Sequence, residues 1–368
     1  MEQALEWLEA AAWNELEGCR LRAYDGTVLF TPDGQGSYGA LWTRDLAYVV
    51  ENASHLLSSE EVRAAIAYLL RGQREDGCIP DRVRADGQAV YCAGPESSPL
   101  GDPPTDNAQF AVDLVCNYVR YAGDVAFADQ HLPVLARAMD ACPRSAAGLV
   151  YIAPGRRQSP YGFTDTVGKT GELLFSSLLY WQACNQMAEL CERCSIDPSL
   201  YRERAERIER GMERLWDEEV GAYRAATADC RQVDVWGNAF ALYIGFAEGD
   251  RRRRVSSFLR QRYADIVWRG QVRHTLRGEH WERMLIPVEP GTYQNGAYWA
   301  AASGWVFCAL AEDDESLARQ MMADLVEDFQ QGGICECVNV GYRKLERYVV
   351  SVVNPLGALR RWVGGARD

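Results

Sequence analysis

Helical periodicity runs through most of the chain, and strand-like alternation of polar and apolar residues is scarce. Apolar residues recur at intervals of three and four, which is the spacing of one face of an α-helix. The pattern therefore predicts an all-α protein. The predicted helices are 2–18, 43–57, 59–73, 106–121, 124–142, 169–194, 198–216, 235–247, 250–264, 294–311, 313–330 and 350–364.

The predicted helices are of two kinds, and the two kinds alternate along the chain. The segments 59–73, 198–216 and 313–330 are amphipathic and rich in charge, whereas 106–121 and 235–247 are almost wholly apolar. A helix that is apolar all round is buried, and a helix with one charged face lies at the surface. We therefore expect buried helices sheathed by an outer layer of charged ones.

Polar residues stand at the predicted starts of the apolar helices at nearly constant spacing. A fixed period of this kind indicates a repeat architecture. Six helical hairpins, each with one buried helix, can close into a ring of inner helices inside a ring of outer ones. Every inner helix then begins at the same end, and short β-hairpins and ligand loops lie between the helices. The residues that define the period are Asp45, Asp106, Asp165, Asp234, Asn295 and Asn354, with successive intervals of 61, 59, 69, 61 and 59.

Composition and charge narrow the range of functions. No Pro-, Gly- or Ser-rich linker divides the chain, so we expect residues 1–368 to form a single domain. The net charge of −13 argues against nucleic acid as a partner, because phosphate backbones attract basic surfaces. The 11 Trp and 18 Tyr suit a sugar ligand. No P-loop or dinucleotide-binding sequence is present, and the 12 Cys lack the paired spacing of a zinc site. We expect no cofactor and no metal.

The N-terminal segment and the hydropathy of the chain bear on its location. Residues 1–19 are acidic and amphipathic and lack the basic and apolar regions of a signal peptide. The chain contains no run of about 18 apolar residues, which is the length that a membrane-spanning helix needs. The sequence therefore predicts a cytoplasmic enzyme with reduced thiols.

Charged side chains gather where the first two apolar helices begin. Thr43 is placed to cap a helix, and Arg44 and Asp45 follow it. A charged donor beside a charged acceptor suits the neighbouring hydroxyls of a sugar. Asp106 and Asn107 open the next apolar helix in the same way. The alternative interpretation is that these residues only cap helices.

Two acids are candidates for chemistry. Asp165 lies among aromatic residues that would raise its pKa, whereas Lys169 and a helix N-terminus would lower it, and the sign stays open. Glu336 lies in an apolar loop, where a carboxylate is costly unless it is paired or functional. The alternative interpretation of Asp165 is a helix cap, and that of Glu336 is a buried salt bridge. Two acids delivered to one aromatic pocket are what glycoside hydrolysis requires.

Several stretches resemble one known family. Trp42-Thr43-Arg44-Asp45 resembles the W-T-R-D stretch that holds the terminal sugar in glucoamylases, and Thr105-Asp106-Asn107 resembles their second sugar-binding stretch. Cys335-Glu336-Cys337-Val338-Asn339 resembles the stretch that carries the general base, and Asp165 occupies the place of the general acid. Tyr293–Trp305 is similar to the G-N-P-W helix start of the group. The family is that of the six-hairpin glycosidases, which includes glucoamylase, trehalase, processing α-glucosidases and mannosylglycerate hydrolase.

The resemblance implies an (α/α)6 barrel and an inverting, exo-acting glycoside hydrolase of α-glucosidase-like activity on short oligosaccharides or glycosides. Asp165 is the expected acid and Glu336 the expected base. The partner is a small carbohydrate. The residues expected to bind it are Trp42, Arg44, Asp45, Asp106, Asn107, Lys169, Trp236, Tyr293, Gln294, Asn295 and Trp299.

Similar barrels serve other functions, and these remain alternatives. They include α-rhamnosidases and glycoside phosphorylases. A sugar epimerase of the acylglucosamine epimerase type would need histidines that face the pocket, and His274 and His280 are its candidates. A non-catalytic sugar-binding barrel would pair its acids with Arg or Lys.

Overall fold

Helices account for most of the computed structural model, which describes residues 1–365. The last three residues of the predicted domain 1–368 lie outside the described residues. All twelve predicted helices are present, which confirms the all-α prediction. The helices of residues 1–365 are α1 (Glu2–Gly18), α2 (Thr43–Ala53), α3 (Ser59–Leu70), α4 (Asn107–Ala122), α5 (Val125–Ala141), α6 (Leu174–Arg193), α7 (Ser199–Gly211), α8 (Val235–Tyr243), α9 (Gly249–Gln261), α10 (Tyr263–Ile266), α11 (Ser303–Asp313), α12 (Glu315–Gly332) and α13 (Val349–Gly365).

The helices form two concentric rings. The inner ring runs α2, α4, α6, α8, α11 and α13, each helix packs on the next, and α13 returns to α2. The outer helices α1, α3, α5, α7, α9 and α12 pack against them. This is the predicted (α/α)6 barrel. The short α10 adds one turn after α9.

Burial follows the apolar and charged patterns of the sequence. The inner helix α4 is buried along nearly its whole length, whereas the outer helix α7 buries only one face. Aromatic rings from three inner helices fill the barrel interior: the Phe175 and Phe240 centroids lie 4.9 Å apart, and those of Phe240 and Trp305 lie 5.0 Å apart. Such contacts are within the range in which aromatic pairs stabilise a core.

Short antiparallel strands occupy the loops between helices, as predicted. They make one three-stranded sheet, β3-β4-β5, and pairs elsewhere. The longest pair is the hairpin of β12 and β13. The strands are β1 (Arg20–Arg22), β2 (Val28–Phe30), β3 (Ala40–Trp42), β4 (Arg82–Arg84), β5 (Ala89–Val90), β6 (Tyr151–Ile152), β7 (Gly171–Glu172), β8 (Trp216–Asp217), β9 (Ala222–Tyr223), β10 (Val267–Trp268), β11 (Gln271–Val272), β12 (Cys335–Asn339) and β13 (Tyr342–Glu346).

Two inner helices begin later than the sequence predicts. Residues 169–173 precede α6 and include β7, where Gly171 has a φ of +82° that favours glycine. Residues 294–302 precede α11, and Gly296 has a φ of +117°. In both cases a glycine in the left-handed region interrupts an otherwise helical pattern of apolar residues. The loops before α6 and α11 are therefore longer than expected.

The repeated polar residues take different places as a result. Asp45 lies in the first turn of α2, and the Asp234 carboxylate caps α8 by accepting from the Gly237 N–H at 3.0 Å. Asp165 and Asn295 lie in the lengthened loops. Asn354 lies inside α13, where its amide donates to the Ala301 carbonyl at 3.1 Å. The period thus marks the repeats, although only some of its members open helices.

Within residues 1–365, no helix combines the length and hydropathy needed to cross a bilayer.

Candidate active site

A pocket of about 640 Å³ opens at the end of the barrel where the inner helices begin. Its volume is within the range of small-molecule sites in proteins. Eight of the thirteen residues predicted for the site line it, although they come from distant parts of the chain. These are Trp42, Arg44, Asp45, Asp165, Tyr293, Gln294, Trp299 and Glu336.

Arg44 is locked by a buried network of acids in one wall of the pocket. Its guanidinium donates to Asp81 at 2.8 Å, to both oxygens of Asp106 at 3.2 Å, and to the Asn107 amide oxygen at 2.9 Å. Gly162 lies directly against the Arg44 side chain, and a Cβ added there would overlap the guanidinium. Buried charges that are paired on several sides hold a fixed geometry. Arg44 is therefore a rigid cation at the pocket wall.

Asp45 lies next to Arg44 and is buried as well. Its Oδ1 accepts from the Tyr348 hydroxyl at 2.7 Å. Burial raises the pKa of Asp45 to about 7, while the Tyr348 hydroxyl and the Arg44 guanidinium act in the opposite direction and Glu336 adds to the increase. When Asp45 is ionised, its carboxylate can accept a hydrogen bond from a ligand.

Asp165 lies in the loop before α6, one residue after a single 3₁₀ turn at Gly162–Thr164. Its Oδ1 accepts from the Gln294 amide at 2.7 Å, and part of its surface is open to the pocket. Burial raises the pKa of Asp165 to about 7, and the hydrogen bond from Gln294 only partly offsets this. The direction that the sequence left open is therefore upward, because burial has the largest effect, and Lys169, which was expected to lower the pKa, is paired with Asp234 instead. A carboxyl group of this kind can carry a proton near neutral pH.

Glu336 projects from β12 and is almost fully buried. Its Oε1 accepts from the Tyr38 hydroxyl at 2.7 Å, and its Oε2 is paired with the Lys344 ammonium. Burial raises the pKa of Glu336 above its usual range, while Lys344 and Tyr38 lower it. The salt bridge that was the alternative interpretation of Glu336 is therefore present. It places a carboxylate with an ammonium partner at the pocket wall.

The loop that carries Tyr38 is organised by a buried acid. The Asp33 carboxylate accepts from three backbone N–H groups, those of Gln35 at 3.0 Å, Ser37 at 2.9 Å and Tyr38 at 2.9 Å. Carboxylates that accept several backbone hydrogen bonds fix tight loops. Asp33 thus positions Tyr38 over Glu336.

The aromatic walls come from two loops. The Trp42 indole donates to the Tyr38 carbonyl at 3.1 Å, and the Arg82 guanidinium lies 4.5 Å from the centre of its ring. On the other side, Trp299 contacts Tyr293 with ring centroids 5.3 Å apart. Tyr293 has a φ of +39°, a strained backbone position for a non-glycine residue that often occurs at functional sites. Flat aromatic faces of this kind suit the apolar faces of a sugar ring.

Five predicted site residues lie behind the pocket wall and do not line it. Asp106 and Asn107 hold Arg44, as described above. The Lys169 ammonium is buried against Asp234 at 3.1 Å, and Trp236 is fully buried. The Asn295 side chain accepts from the Trp281 N–H at 3.1 Å. These five residues therefore hold the pocket wall in place from behind. This placement does not favour the direct contact with a sugar that the sequence predicts for them.

The histidines of the epimerase alternative also lie outside the pocket lining. The His274 ring is buried and stacked on Trp236 at 3.8 Å between centroids. Burial and the nearby Lys169 hold the pKa of His274 well below its usual range. His280 is exposed. Among the described residues, the acids of the pocket are therefore the groups able to transfer protons there.

Sequence reasoning missed three polar residues of the site: Tyr38, Lys344 and Tyr348. Each acts on an acid far away in the chain or across a hairpin, so no local pattern reveals the contact. One signal was available for Lys344. The chain has two lysines among 39 basic residues, Lys169 and Lys344, and both pair with an acid. Arg82 and Arg84, which line the outer part of the pocket together with Glu96, were also missed.

Comparisons with known proteins bear on the family and the fold of this chain. A family model described as the mannosylglycerate hydrolase MGH1-like glycoside hydrolase domain matches residues 38–340. The GH63 mannosylglycerate hydrolase from Thermus thermophilus, solved in complex with glucose, is similar with a TM-score of 0.69 and 18% identity, and the match covers 96% of this chain and 100% of that one. A rhamnosidase from Klebsiella oxytoca with rhamnose bound has a TM-score of 0.70 at 17% identity, covering 98% of this chain and 64% of that one. At these identities the likeness concerns the fold. No curated protein matches the sequence.

Proposed function

Because the chain belongs to the family of mannosylglycerate hydrolase MGH1-like glycoside hydrolase domains, we propose that it removes one terminal sugar from a small glycoside with inversion at the anomeric carbon. The family makes it a glycoside hydrolase and a member of the six-hairpin glycosidases, as the sequence resemblance predicted. The finer features of the reaction are our proposal. The observation that carries it is the presence of Asp165 and Glu336, with different partners, in the wall of one pocket.

The two acids have environments that suit opposite roles. Asp165 is held by an amide donor and has a pKa of about 7, so it carries a proton at the start of the reaction. Glu336 is held by an ammonium and a hydroxyl, which both favour its ionised form against the effect of burial. A protonated acid and an ionised base in one site are what a single inverting displacement requires.

In the proposed step, the Asp165 proton moves to the glycosidic oxygen as the bond between that oxygen and the anomeric carbon breaks. A water molecule attacks the anomeric carbon from the opposite face, and its proton moves to Glu336. The products are the free sugar, with its anomeric configuration inverted, and the alcohol of the leaving group. For this step the carboxyl groups of an inverting pair stand about 6.5–9.5 Å apart.

The remaining pocket residues bind and orient the sugar in this proposal. Arg44 and Asp45 offer a fixed donor and acceptor for neighbouring hydroxyls. Trp42 and Trp299 provide the apolar walls. Asp106 and Asn107 act through Arg44, and Lys169, Trp236 and Asn295 support the loops behind it. We propose that the enzyme acts on the end of a sugar chain, and a pocket of about 640 Å³ is large enough for one terminal sugar.

The outer part of the pocket suggests the nature of the leaving group. Arg82 and Arg84 line it, and Glu96 pairs with Arg84. Arg82 also pairs with Asp81 at 2.9 Å and lies 3.6 Å from Glu96, so both guanidinium groups have acidic partners. As hydrogen-bond donors they favour a small leaving group that carries hydroxyls or a carboxylate. The Thermus hydrolase has been solved in complex with Tris and D-glycerate. We therefore include glycosides of D-glycerate among the proposed substrates, beside short α-glucosides.

A panel of glycosides tests the proposal. Aryl α- and β-glucosides, α-mannosides and α-L-rhamnosides, together with α-glucosyl- and α-mannosyl-D-glycerate, are incubated with the enzyme, and the first-formed anomer is followed by proton NMR. We expect hydrolysis of an α-glycoside with initial release of the β-anomer. Initial release of the α-anomer would contradict inversion. No hydrolysis of any member would contradict the proposed function, and turnover that requires inorganic phosphate would indicate a phosphorylase.

A further inference from the structure

The side of the pocket that carries the general base also contains a cation, Lys344, which itself transfers no proton in the mechanism above. Lys344 lies on β13, opposite Cys337 of β12, and its ammonium contacts the Glu336 Oε2. The Lys344 side chain is 35% exposed and that of Glu336 is 3% exposed. The pair therefore stands at the pocket wall, with the carboxylate inside and the ammonium facing the cavity.

The hairpin has a local irregularity at this point. The regular pairing of β12 with β13 omits Glu336 and Leu345, although the residues on both sides are paired. Leu345 has a φ of +47°, in the left-handed region that a branched residue rarely adopts. This interruption lies between the Cys337–Lys344 pair and the Cys335–Glu346 pair. It lets Lys344 turn to Glu336 although Cys337 is its register partner.

Lys344 also connects three separate loops. Its ammonium lies 3.5 Å from the Tyr38 hydroxyl and 3.8 Å from the centre of the Tyr293 ring. The Tyr38 hydroxyl in turn donates to the other oxygen of Glu336. Both carboxylate oxygens thus have a fixed donor from a different element. Two fixed donors define the plane of the carboxylate and leave further lone pairs for a water molecule.

We propose that Lys344 is a positioning residue for the general base, and that its ammonium keeps Glu336 both oriented and ionised so that it can accept a proton from water. This inference rests on the proposed function. Lysine is a compact charge that can lie between two oxygen-bearing groups and an aromatic face, whereas the planar guanidinium used almost everywhere else in this chain demands more room.

The charge balance around Glu336 explains why a cation is needed. Asp33 opposes the ionisation of Glu336, and Glu336 in turn raises the pKa of two neighbouring acids, Asp45 and Asp165. Burial acts in the same direction and raises the pKa of Glu336, and Lys344 gives the largest opposing effect. The other groups that face the carboxylate are neutral at physiological pH: Tyr38, Tyr293, Tyr342, Tyr348 and Cys337.

Removal of the Lys344 charge should shift the pH dependence of the enzyme in one direction. The base must be ionised, so its pKa sets the acidic side of the pH dependence of kcat/KM. Removal of Lys344 raises that pKa, and the acidic side moves to higher pH. An opposite charge at hydrogen-bond distance shifts a carboxyl pKa by about 1–3 units. The alkaline side depends on Asp165 and should stay in place.

The test compares Lys344→Met, which keeps an unbranched stem without the charge, with Lys344→Arg, which keeps the charge. Arg343→Met is the matched control, because Arg343 lies on the same strand and pairs with Asp328. The pH dependence of kcat/KM is measured with the glycoside of the panel that the wild-type enzyme hydrolyses fastest. The titration of Glu336 is followed independently by carboxyl NMR of enzyme labelled with ¹³C-glutamate, and the signal is assigned by its loss in Glu336→Gln. Should Lys344→Met fail to fold, Lys344→Gln replaces it.

We expect Lys344→Met to raise the Glu336 titration midpoint and the acidic side of the profile by at least about one pH unit. Lys344→Arg should restore most of the wild-type position, and Arg343→Met should shift neither. An unmoved midpoint in a folded Lys344→Met enzyme would overturn the inference, as would an equal loss of activity at every pH with both sides of the profile unchanged. If the wild-type enzyme hydrolyses no glycoside of the panel, the proposed function fails instead, and the NMR titration still decides the role of Lys344.

Discussion

Replacement of Asp165 by Asn should greatly slow the turnover of substrates with poor leaving groups and, at high pH, should also stabilise the fold. Asp165 accepts one hydrogen bond, from the Gln294 amide, and the carbonyl oxygen of an asparagine side chain at this position can accept it equally. The substitution therefore removes a titrating carboxyl while the Gln294 donor keeps its partner, and the new NH2 group lies on the part of the side chain that is open to the pocket. What it changes is the cost of a buried negative charge.

The size of the gain follows from the pKa. The pKa of Asp165 is raised from 3.8 to about 7, mainly by burial. A raised pKa means that the folded state disfavours the ionised form, so the penalty is absent below about pH 4 and complete above about pH 7. Three pH units correspond to about 4 kcal/mol. Because the carboxyl is partly open to the pocket, we expect Asp165→Asn to gain about 2–4 kcal/mol at pH 8.5 relative to its effect at pH 4.

Urea unfolding at pH 4, 6 and 8.5 measures this difference. Asp197→Asn is a matched control at the surface: the pKa of Asp197 is lowered by hydrogen bonds from Ser199, so its removal should change stability in the opposite sense. A gain for Asp165→Asn that is the same at all three pH values would show that burial does not hold this carboxyl neutral, and the assignment of the acid would lose its physical basis.

The same variant distinguishes an acid from a merely structural residue. A general acid matters most when the leaving group is poor, and it contributes about 10²–10⁴ to the rate. Asp165→Asn should therefore lose far more activity on alkyl glycosides than on dinitrophenyl glycosides. An equal loss on both would place Asp165 outside the proton transfer to the leaving group. For the wild-type enzyme, kcat/KM should fall as the pH rises through about 7, as Asp165 loses its proton.

Three further predictions follow from the contacts of the site. Glu336→Gln should lower kcat by about 10²–10⁴ on good and poor leaving groups alike, because the base acts on water, and unequal losses would contradict that role. Gly162→Ala should cost about 1–3 kcal/mol in urea unfolding and raise KM, because its methyl group would displace Arg44; Gly364→Ala, where a Cβ meets no atom, should change neither. Tyr348→Phe removes the hydrogen-bond donor to Asp45, so the pKa of Asp45 should rise above about 7. Because the ionised carboxylate is the form that accepts a hydrogen bond from the sugar, KM should increase at pH 6–7 and recover towards pH 9. A KM that does not change with pH would contradict this.

The architecture was predictable because it depends on local patterns repeated many times. Each inner helix such as α4 is apolar on all faces, and each outer helix such as α7 has one charged face, so the alternation alone indicates two layers. Arg44 and Asp45 were found for a related reason. Two opposite charges mark the start of α2, and helix starts share one end of a ring. The expected cap was wrong: Thr43 is the first residue of α2, and its hydroxyl donates to the Pro80 carbonyl at 2.6 Å.

The errors have equally local causes. Gly171 and Gly296 adopt positive φ within apolar stretches, so the periodicity continued through residues that in fact form loops. A periodic pattern detects which side chains are buried, and buried loop residues satisfy it as well as helical ones. The five residues placed behind the wall were over-assigned for a similar reason: Asp106 marks the right place in the fold, but its carboxylate faces the Arg44 side chain.

Contacts between distant loops explain the rest of what the sequence could not predict. Tyr38 and Glu336 are 298 positions apart, and neither has a neighbour in sequence that indicates the other. The barrel determines which loops meet, whereas the irregular hairpin at Leu345 determines which side chain reaches the acid. The proton-transfer roles in this site therefore depend on features of single loops, such as Lys344 beside Glu336 and Gln294 beside Asp165. Members of such a fold can keep the ring and change the reaction by exchanging these partners, since each partner changes the pKa of the acid it contacts.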